Sequence, residues 1–524
     1  MWLCYIMRMT TQDYKDINDV NKLHNIIQSH ESEIKILQEQ IKSLTDKIFG
    51  RKTEKIIIGP YQQLPLFDIP EPEFPIAKEP EEIIVPSHTR KKRGRKPLPA
   101  NLPRIEVIHD LEKEDKLCQC GCIKSRIGEE ISEQLDYIPA KVQVIKNIRY
   151  KYACKNCEGV EDDGPTISIA RMPEQIIPKS IATPGLLAHI LTAKFADALP
   201  FYRQEKQFSR IGIELPRATM CNWTMKIFDA CEIILDMMQD AVLKSPVINI
   251  DETSIKVLKE RGRTNSYMWV FKGTPRGKPV ILYQYHPSRS GDVPAAFLKK
   301  YKGIVQTDGY SGYKFLESNK DIMHVGCWVH ARRKFVDVTK ATGNKSKKKP
   351  SGNAGTALSY ISKLYKIEKQ AKEQKLSSDD LYEKRQLKAV PILEEFKKWI
   401  DFKLEQVPPK SLLGKAINYT LNEWPRLIRY TENGRIAPDN NSVENAIRPF
   451  VIGRKNWLFS DTPKGAKASA AIYSLIETAK ANGLDPYWYL KYLLKQLPEA
   501  MTADEFKILM PQNIDKNLLD NPFN

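Results

Sequence analysis

Val247-Ile248-Asn249-Ile250-Asp251-Glu252-Thr253 is a short apolar run that ends in carboxylates. A run of this length, rich in β-branched residues, reads as a buried strand. The segments that follow keep that character. Tyr267 to Lys272 and Pro279 to Tyr285 are strand-like, and Asp292 to Tyr301 has helical spacing. Gly303-Ile304-Val305-Gln306-Thr307-Asp308-Gly309-Tyr310 is a second apolar strand ending in Asp. Ile322 to Cys327 is one more short strand, before a helix through Ala331-Arg332-Arg333-Lys334-Phe335.

Three strands, a helix and two strands follow the order of a ribonuclease-H-like fold. In that fold the first Asp sits on the first strand and the second at the end of the fourth. The two strands are parallel neighbours, so the carboxylates meet. A third acid then comes from a later helix, and Asp439-Asn440-Asn441-Ser442-Val443-Glu444 suits that role. Asn or Asp is expected to cap the helix start, with Glu444 in its first turns. Arg448 follows one turn later on the same face, where it could orient the carboxylate or meet a phosphate. A lone Asp at a strand end is usually a cap or turn residue, so it is the ordered set that has weight. Asp251, Asp308 and Glu444 in one cleft would repel one another strongly. Two Mg²⁺ (or Mn²⁺) ions about 4 Å apart would relieve this and support in-line phosphoryl displacement.

The composition agrees with such chemistry. The 524-residue chain has length for several domains, and 41% hydrophobic residues suffice for a core. Its formal charge of +18 favours a polyanionic partner, although a basic protein with no such partner would look the same. The apolar start, Met1 to Met9, is too short to span a bilayer and unlike a signal peptide; either Met1 or Met9 could be the true start. Nine cysteines in so long a chain do not suggest a disulfide scaffold, and their clustering points to a metal in a reducing cytoplasm.

Upstream of the strands, Val20, Ile27, Ile34, Ile41 and Ile48 recur every seven residues, with Leu23, His30, Leu37 and Leu44 three residues later. This pattern predicts a parallel two-stranded coiled coil, against the alternative of an amphipathic helix packed on its own domain. A Pro-rich, acidic linker ends in Arg90-Lys91-Lys92-Arg93-Gly94-Arg95-Lys96-Pro97. That end suits either a plain basic tether or an extended minor-groove hook carried by Arg93, Arg95 and Lys96. Cys118, Cys120 and Cys122 precede Cys154 and Cys157, with the β-rich stretch Gln134 to Tyr152 between them. Paired turns of this kind deliver four thiolates to a closed, structural Zn²⁺. Cys120, Cys154 and Cys157 are ligands in that reading, with Cys118 the fourth and Cys122 its competitor. Pro184 to Ala198 and the run opened by Pro216-Arg217-Ala218-Thr219 read as helices. They form either a helix-turn-helix that presents Arg217, Thr219 and Asn222, or a bundle that supports the next domain.

Together these stretches resemble the insertion-sequence-66 type of bacterial transposases. The similar segments, in order, are Phe49-Gly50-Arg51-Lys52-Thr53-Glu54-Lys55, Ile127 to Pro139, Leu199-Pro200-Phe201-Tyr202-Arg203-Gln204 and Asp251-Glu252-Thr253. Then come Thr307 to Tyr313, Cys327 to Phe335, Asp439 to Glu444, Gly453-Arg454-Lys455-Asn456-Trp457-Leu458-Phe459 and Ala471 to Lys480. The resemblance implies a D-D-E transposase, which cuts and joins DNA at the terminal inverted repeats of its element. It also implies bacterial, nucleoid-associated cytoplasmic localisation, assembly as a dimer or higher, and small accessory proteins of the same element. Candidate DNA contacts are Arg93, Arg95, Lys96, Arg217, Arg332, Arg333, Arg448, Arg454 and Lys455. Cys327-x-x-His330 resembles a motif near the second Asp of such enzymes. His330 would touch the scissile phosphate or move a proton, or else pack with Cys327 beneath the site. Two departures stand out: a C-x-C-G first zinc turn, and Asp251-Glu252-Thr253 where many relatives have Asp-Asp-Thr.

The expected organisation is a multidomain α+β protein: coiled coil 13–50, linker 56–103, zinc module 104–172 and helical region 173–243. A catalytic domain over 244–482 follows, with a helical insertion at about 340–430 and a helical tail at 483–524. The competing functions are a catalytically silent DNA-binding regulator and a nuclease that cleaves without joining.

Overall fold

A computed structural model describes residues 20–49, 142–153, 167–169, 173–262, 265–341 and 352–519. The chain divides into two units, one of residues 1–70 and 175–519 and one of residues 71–174 and 520–524. In the second unit, β1 (Lys151–Ala153) pairs antiparallel with β2 (Ile167–Ile169). Strand was expected over Gln134 to Tyr152, yet residues 142–150 carry none, and Val144 is 95% exposed. Alternation alone does not make a strand without a ladder partner for its N–H and C=O groups. The five zinc-module cysteines and Arg93, Arg95 and Lys96 lie outside the described residues.

The first unit begins with α1 (Val20–Phe49), the heptad helix. Its seam is open: Ile27, Ile34, Leu37, Ile41 and Leu44 are each at least half exposed. Gln40 Nε2 donates to the carbonyl of Lys410 at 3.3 Å, so one flank of the helix touches its own unit.

Helices α2 (Pro184–Phe195), α3 (Phe201–Arg210) and α4 (Arg217–Leu243) come next. Thr183 caps α2 by accepting from Leu186 N–H, with Pro184 in the first turn, where no N–H is needed. Buried Met220, Trp223, Ile227, Cys231, Ile234, Met238 and Val242 run the length of α4 and share one core with the sheet.

That sheet has strands β3 (Val247–Ile255), β4 (Ser266–Gly273), β5 (Val280–His286), β6 (Gly303–Gln306) and β7 (Ile322–Val325), with α5 (Asp292–Phe297) after β5. The spatial order is β5-β4-β3-β6-β7. The β3–β4 and β4–β5 pairs are antiparallel, and the β3–β6 and β6–β7 pairs parallel. After β7 the chain enters α6 (Trp328–Ala341), α7 (Gly352–Glu373), α8 (Ser378–Gln406) and α9 (Leu412–Leu427). These helices close a second core around Trp328, Phe396 and Trp424. The chain then returns to the sheet as α10 (Asn441–Trp457) and α11 (Pro463–Ala481), and ends in α12 (Pro486–Gln496), packed on α2, and α13 (Ala503–Leu509), packed on α4.

An edge strand exposes unpaired N–H groups that invite aggregation. Helix α11 removes that hazard at β5. Thr478 Oγ1 accepts from Ile281 N–H at 2.9 Å, and Ser474 Oγ accepts from Tyr283 N–H at 2.8 Å.

Candidate active site

Strand β3 does not end at its carboxylate as expected. Antiparallel pairing with β4 continues to Ile255↔Ser266, whereas parallel pairing with β6 stops at Asn249↔Gln306. Asp251 and Asp308 each lie two residues beyond that last parallel pair. The point where β6 runs out therefore opens a notch beside β3, and both acids stand at it.

Asp251 is held well above the ordinary aspartate range. Burial is the main cause, followed by the charges of Glu252, Asp308 and Glu444; a hydrogen bond from Glu252 N–H opposes them. Glu252 is engaged elsewhere. Its side chain is 1% exposed, with Oε1 accepting from Arg289 at 2.6 Å and Oε2 accepting from the Tyr313 hydroxyl. Arg289 also stacks over Tyr310, 3.8 Å from the ring centre. Asp308 Oδ1 accepts from Tyr310 N–H at 3.0 Å, which orders the turn after β6.

A polar cluster beneath the notch joins three segments far apart in sequence. Asn249 Nδ2 donates to Gln306 Oε1 and to Asn440 Oδ1, both at 2.9 Å. Asn440 Nδ2 donates to the Ile250 carbonyl at 2.9 Å, and Gln306 Nε2 to that of Ala437 at 2.8 Å. Asn440 thus does not cap α10 with its side chain, as expected, because β3 has claimed it. Asp439 Oδ1 accepts from Asn441 N–H at 3.1 Å instead. Asn440→Ala deletes two side-chain bonds to β3, one from half-buried Asn249 and one to the buried Ile250 carbonyl. It is expected to cost about 2–3 kcal/mol, read as a lower urea midpoint at unchanged slope.

Glu444 lies in the first turn of α10. Its basic neighbours come from α6: the His330 ring, whose Nδ1 is 3.7 Å from Oε1, and Arg333, 3.9 Å from Oε2. Arg448, expected either to orient this carboxylate or to meet a phosphate, is exposed. Burial lowers the pKa of His330, against the pull of Glu444 and Asp308, and so favours the neutral ring. Cys327 is buried, and its Sγ accepts from Asn440 N–H at 3.2 Å.

Of the remaining expected DNA contacts, Arg454 donates to Thr253 Oγ1 at 3.1 Å and Ser254 Oγ at 3.3 Å. Lys455 is exposed, Arg332 is half-buried, and Arg217 is exposed at the start of α4. The backbone N–H of Arg217 is received by Glu205.

Two groups escaped the reading of the sequence. Glu423 on α9 is buried, paired with Arg426 at 3.2 Å and close enough to Asp308 for its pKa to respond. Burial is the main cause of that group's upward shift. A Cβ at Gly309 would stand 2.7 Å from the Tyr419 hydroxyl and 3.1 Å from the Glu423 carboxyl, so glycine lets α9 approach. Arg385 on α8 is the second. It pairs through two nitrogens with Glu368 and donates to the carbonyls of Tyr430, Asn433 and Ile436, all within 2.9 Å. Nothing in local periodicity marks either residue: the partners of Arg385 lie in other elements, and an i,i+3 pair such as Glu423–Arg426 looks like any solvated helix pair.

Four family models match the chain. The model described as "Transposase IS66 family" matches residues 179–468, and the IS66 C-terminal element matches 474–512. The zinc-finger binding domain of transposase IS66 matches 115–158, which contains all five clustered cysteines. A model described as "Transposase C of IS166 homeodomain" matches 36–107. The chain is 34% identical over 435 residues to the uncharacterized protein y4jD of Sinorhizobium fredii (strain NBRC 101917 / NGR234), covering 79% of this chain and 81% of the relative. It is 30% identical over 512 residues to y4qI of the same organism, covering 94% and 92%. The chain belongs to the IS66 family of transposases, and so to the polynucleotidyl transferase type, with DNA as partner and a zinc-finger domain for structural zinc. Among the described residues, no helix is long and apolar enough to cross a membrane.

Proposed function

We propose that the protein is an active D-D-E transposase that binds the terminal inverted repeats of its element and cuts and joins DNA strands. On this reading its catalytic domain is ribonuclease-H-like, and Asp251, Asp308 and Glu444 are its catalytic carboxylates. One observation carries the reading: a buried aspartate at the β3–β6 notch whose proton affinity is raised by burial, by its neighbour Glu252 and by two further acids, Asp308 and Glu444. A self-repelling carboxylate cluster of this kind has no structural merit unless a cation enters it. Divalent cations fit, because Glu444 Oε1 is buried without a hydrogen bond. Asp251, Asp308 and Glu444 would hold two Mg²⁺ (or Mn²⁺) ions. When bound, such ions activate a water or 3′-hydroxyl and stabilise the leaving oxygen.

The chain's own residues supply the rest. Glu252, fixed by Arg289 and Tyr313, anchors β3 so that Asp251 faces the notch. His330, neutral and beside Glu444, accepts or passes a proton at the scissile phosphate. Arg332, Arg333, Arg448, Arg454 and Lys455 line the approach of a phosphate backbone. Arg217 at the start of α4 serves end recognition in a helix-turn-helix formed with α3. Arg93, Arg95 and Lys96 add contacts from the linker. Cys118, Cys120, Cys154 and Cys157 hold the zinc, with Cys122 the alternative to Cys118. The organisation expected from sequence, and a cytoplasmic, nucleoid-associated location with accessory proteins of the element, belong to the same proposal.

The test is strand transfer of a DNA fragment ending in the element's inverted repeats, with Mg²⁺. Binding of those ends without any cleavage would favour the silent regulator instead. The exposed seam of α1 leads us to expect that removal of residues 1–48 lowers the assembly state, measured by analytical ultracentrifugation. Proton linkage gives a further expectation. The raised Asp251 holds a proton in the metal-free native state that the unfolded chain releases in the ordinary aspartate range. Metal-free stability therefore falls as pH rises from that range through the raised value. Mg²⁺ must displace the same proton, so its affinity rises with pH over that window. Calorimetry in buffers of different ionisation heat should detect the proton released.

A further inference from the structure

We infer that Cys327, His330 and Glu444 form a second metal site, selective for a borderline-soft divalent cation such as Zn²⁺, which withdraws Glu444 from the catalytic acid cluster when filled. The inference shares Glu444 with the proposed catalytic role and goes beyond it in cation class and consequence.

The three ligand atoms all lie within 4.8 Å of one another. Ligands on a tetrahedral zinc with bonds of about 2.0–2.3 Å stand roughly 3.3–3.7 Å apart. His330 Nδ1 and Glu444 Oε1 are 3.7 Å apart, so that edge of the tetrahedron is already formed. Both atoms are buried and neither makes a hydrogen bond. Two orphaned polar atoms facing each other cost about 1–3 kcal/mol each unless something lies between them. A cation bonded to both would remove that cost. Arg333 approaches the other carboxylate oxygen, which leaves Oε1 as the ligating atom.

Cys327 supplies the selectivity. Its Sγ accepts from the backbone N–H of Asn440 and from that of His330, both of which favour a thiolate. Burial nonetheless pushes the thiol up to about 12, so without metal it keeps its proton. Zinc deprotonates a coordinating thiol outright, whereas Mg²⁺ prefers oxygen ligands and gains little from sulfur or imidazole. Cys327 and His330 are one helical turn apart, at the entry to α6, and Glu444 is in the first turn of α10. The polar cluster around Asn440 fixes these two helix starts, so the site is largely formed in advance. Three protein ligands leave the fourth position to water or a phosphate oxygen. With Glu444 so engaged, Zn²⁺ acts as an inhibitor that competes with Mg²⁺.

The experiment is a Zn²⁺ titration of the full chain, its cysteine module already loaded, against a chromophoric chelator. About one further equivalent is expected to bind. Cys327→Ser and His330→Asn are each expected to weaken that equivalent at least tenfold, on the order of a lost metal contact. Asp251→Asn should retain it while losing strand transfer, so the zinc result and the transposase reading stand or fall separately. If the full chain takes up no zinc beyond its module, the inference is overturned whatever the variants do. It is equally overturned if folded Cys327→Ser and His330→Asn proteins bind the added zinc as the parent does.

Discussion

Asp251→Asn, Asp308→Asn and Glu444→Gln are each expected to reduce strand transfer by at least about 10³-fold, an increase of roughly 4 kcal/mol in the barrier. The amides keep the size of the side chain but remove the charge that would hold a divalent cation. Binding to element ends should stay within about twofold, since these acids repel a phosphate backbone rather than attract it. The three variants should differ in stability. Asp251 is burdened by burial and then by its acidic neighbours, so Asp251→Asn is expected to raise the metal-free melting temperature by a few degrees. A catalytic cluster that costs stability until loaded behaves in this way, whereas a structural carboxylate would lose stability on substitution.

Arg385→Met is expected to be the most damaging change outside that cluster. The guanidinium is 1% exposed and serves Glu368 and three carbonyls in the segment that returns from α9 toward α10. Its removal strands a carboxylate that is 15% exposed, together with three acceptors, at a cost of about 3–5 kcal/mol. The segment it clamps leads directly to Asn440 and Glu444. Strand transfer should therefore fall before global unfolding, at temperatures where far-ultraviolet circular dichroism is unchanged. Glu368→Gln with Arg385→Met should recover part of the stability, because it removes the unpaired charge.

The strands that lead to Asp251 and Asp308 were legible because each is an apolar run followed by an acid, although β6 stops at Gln306 and leaves Asp308 in the turn after it. Their far ends were less so. The local pattern stops β3 at the carboxylates, but β4 supplies ladder partners as far as Ile255. The heptad helix was legible as a helix, and its apolar seam is exposed. Asn440 shows the limit of local reading. Its place before a helix looks like a cap, yet its hydrogen bonds run to Asn249 and Ile250 across the fold. Arg385 and the Ser474–Thr478 cover of β5 were invisible for the same reason: their partners lie far away in sequence, where no periodicity signals them. Glu423 pairs within its own helix, and only its nearness to Asp308 joins positions far apart in sequence. Glu444 was reached through its motif, and the geometry that delivers it belongs to these unread residues.

The most direct test of the account is strand transfer by Asp251→Cys and Asp308→Cys proteins, measured in Mg²⁺ and in Mn²⁺. A thiolate is a poor ligand for hard Mg²⁺ and a better one for the softer Mn²⁺. The account predicts no detectable product in Mg²⁺ and partial recovery in Mn²⁺, with end binding intact in both. Strand transfer at the parent's level in Mg²⁺ by either protein would contradict it.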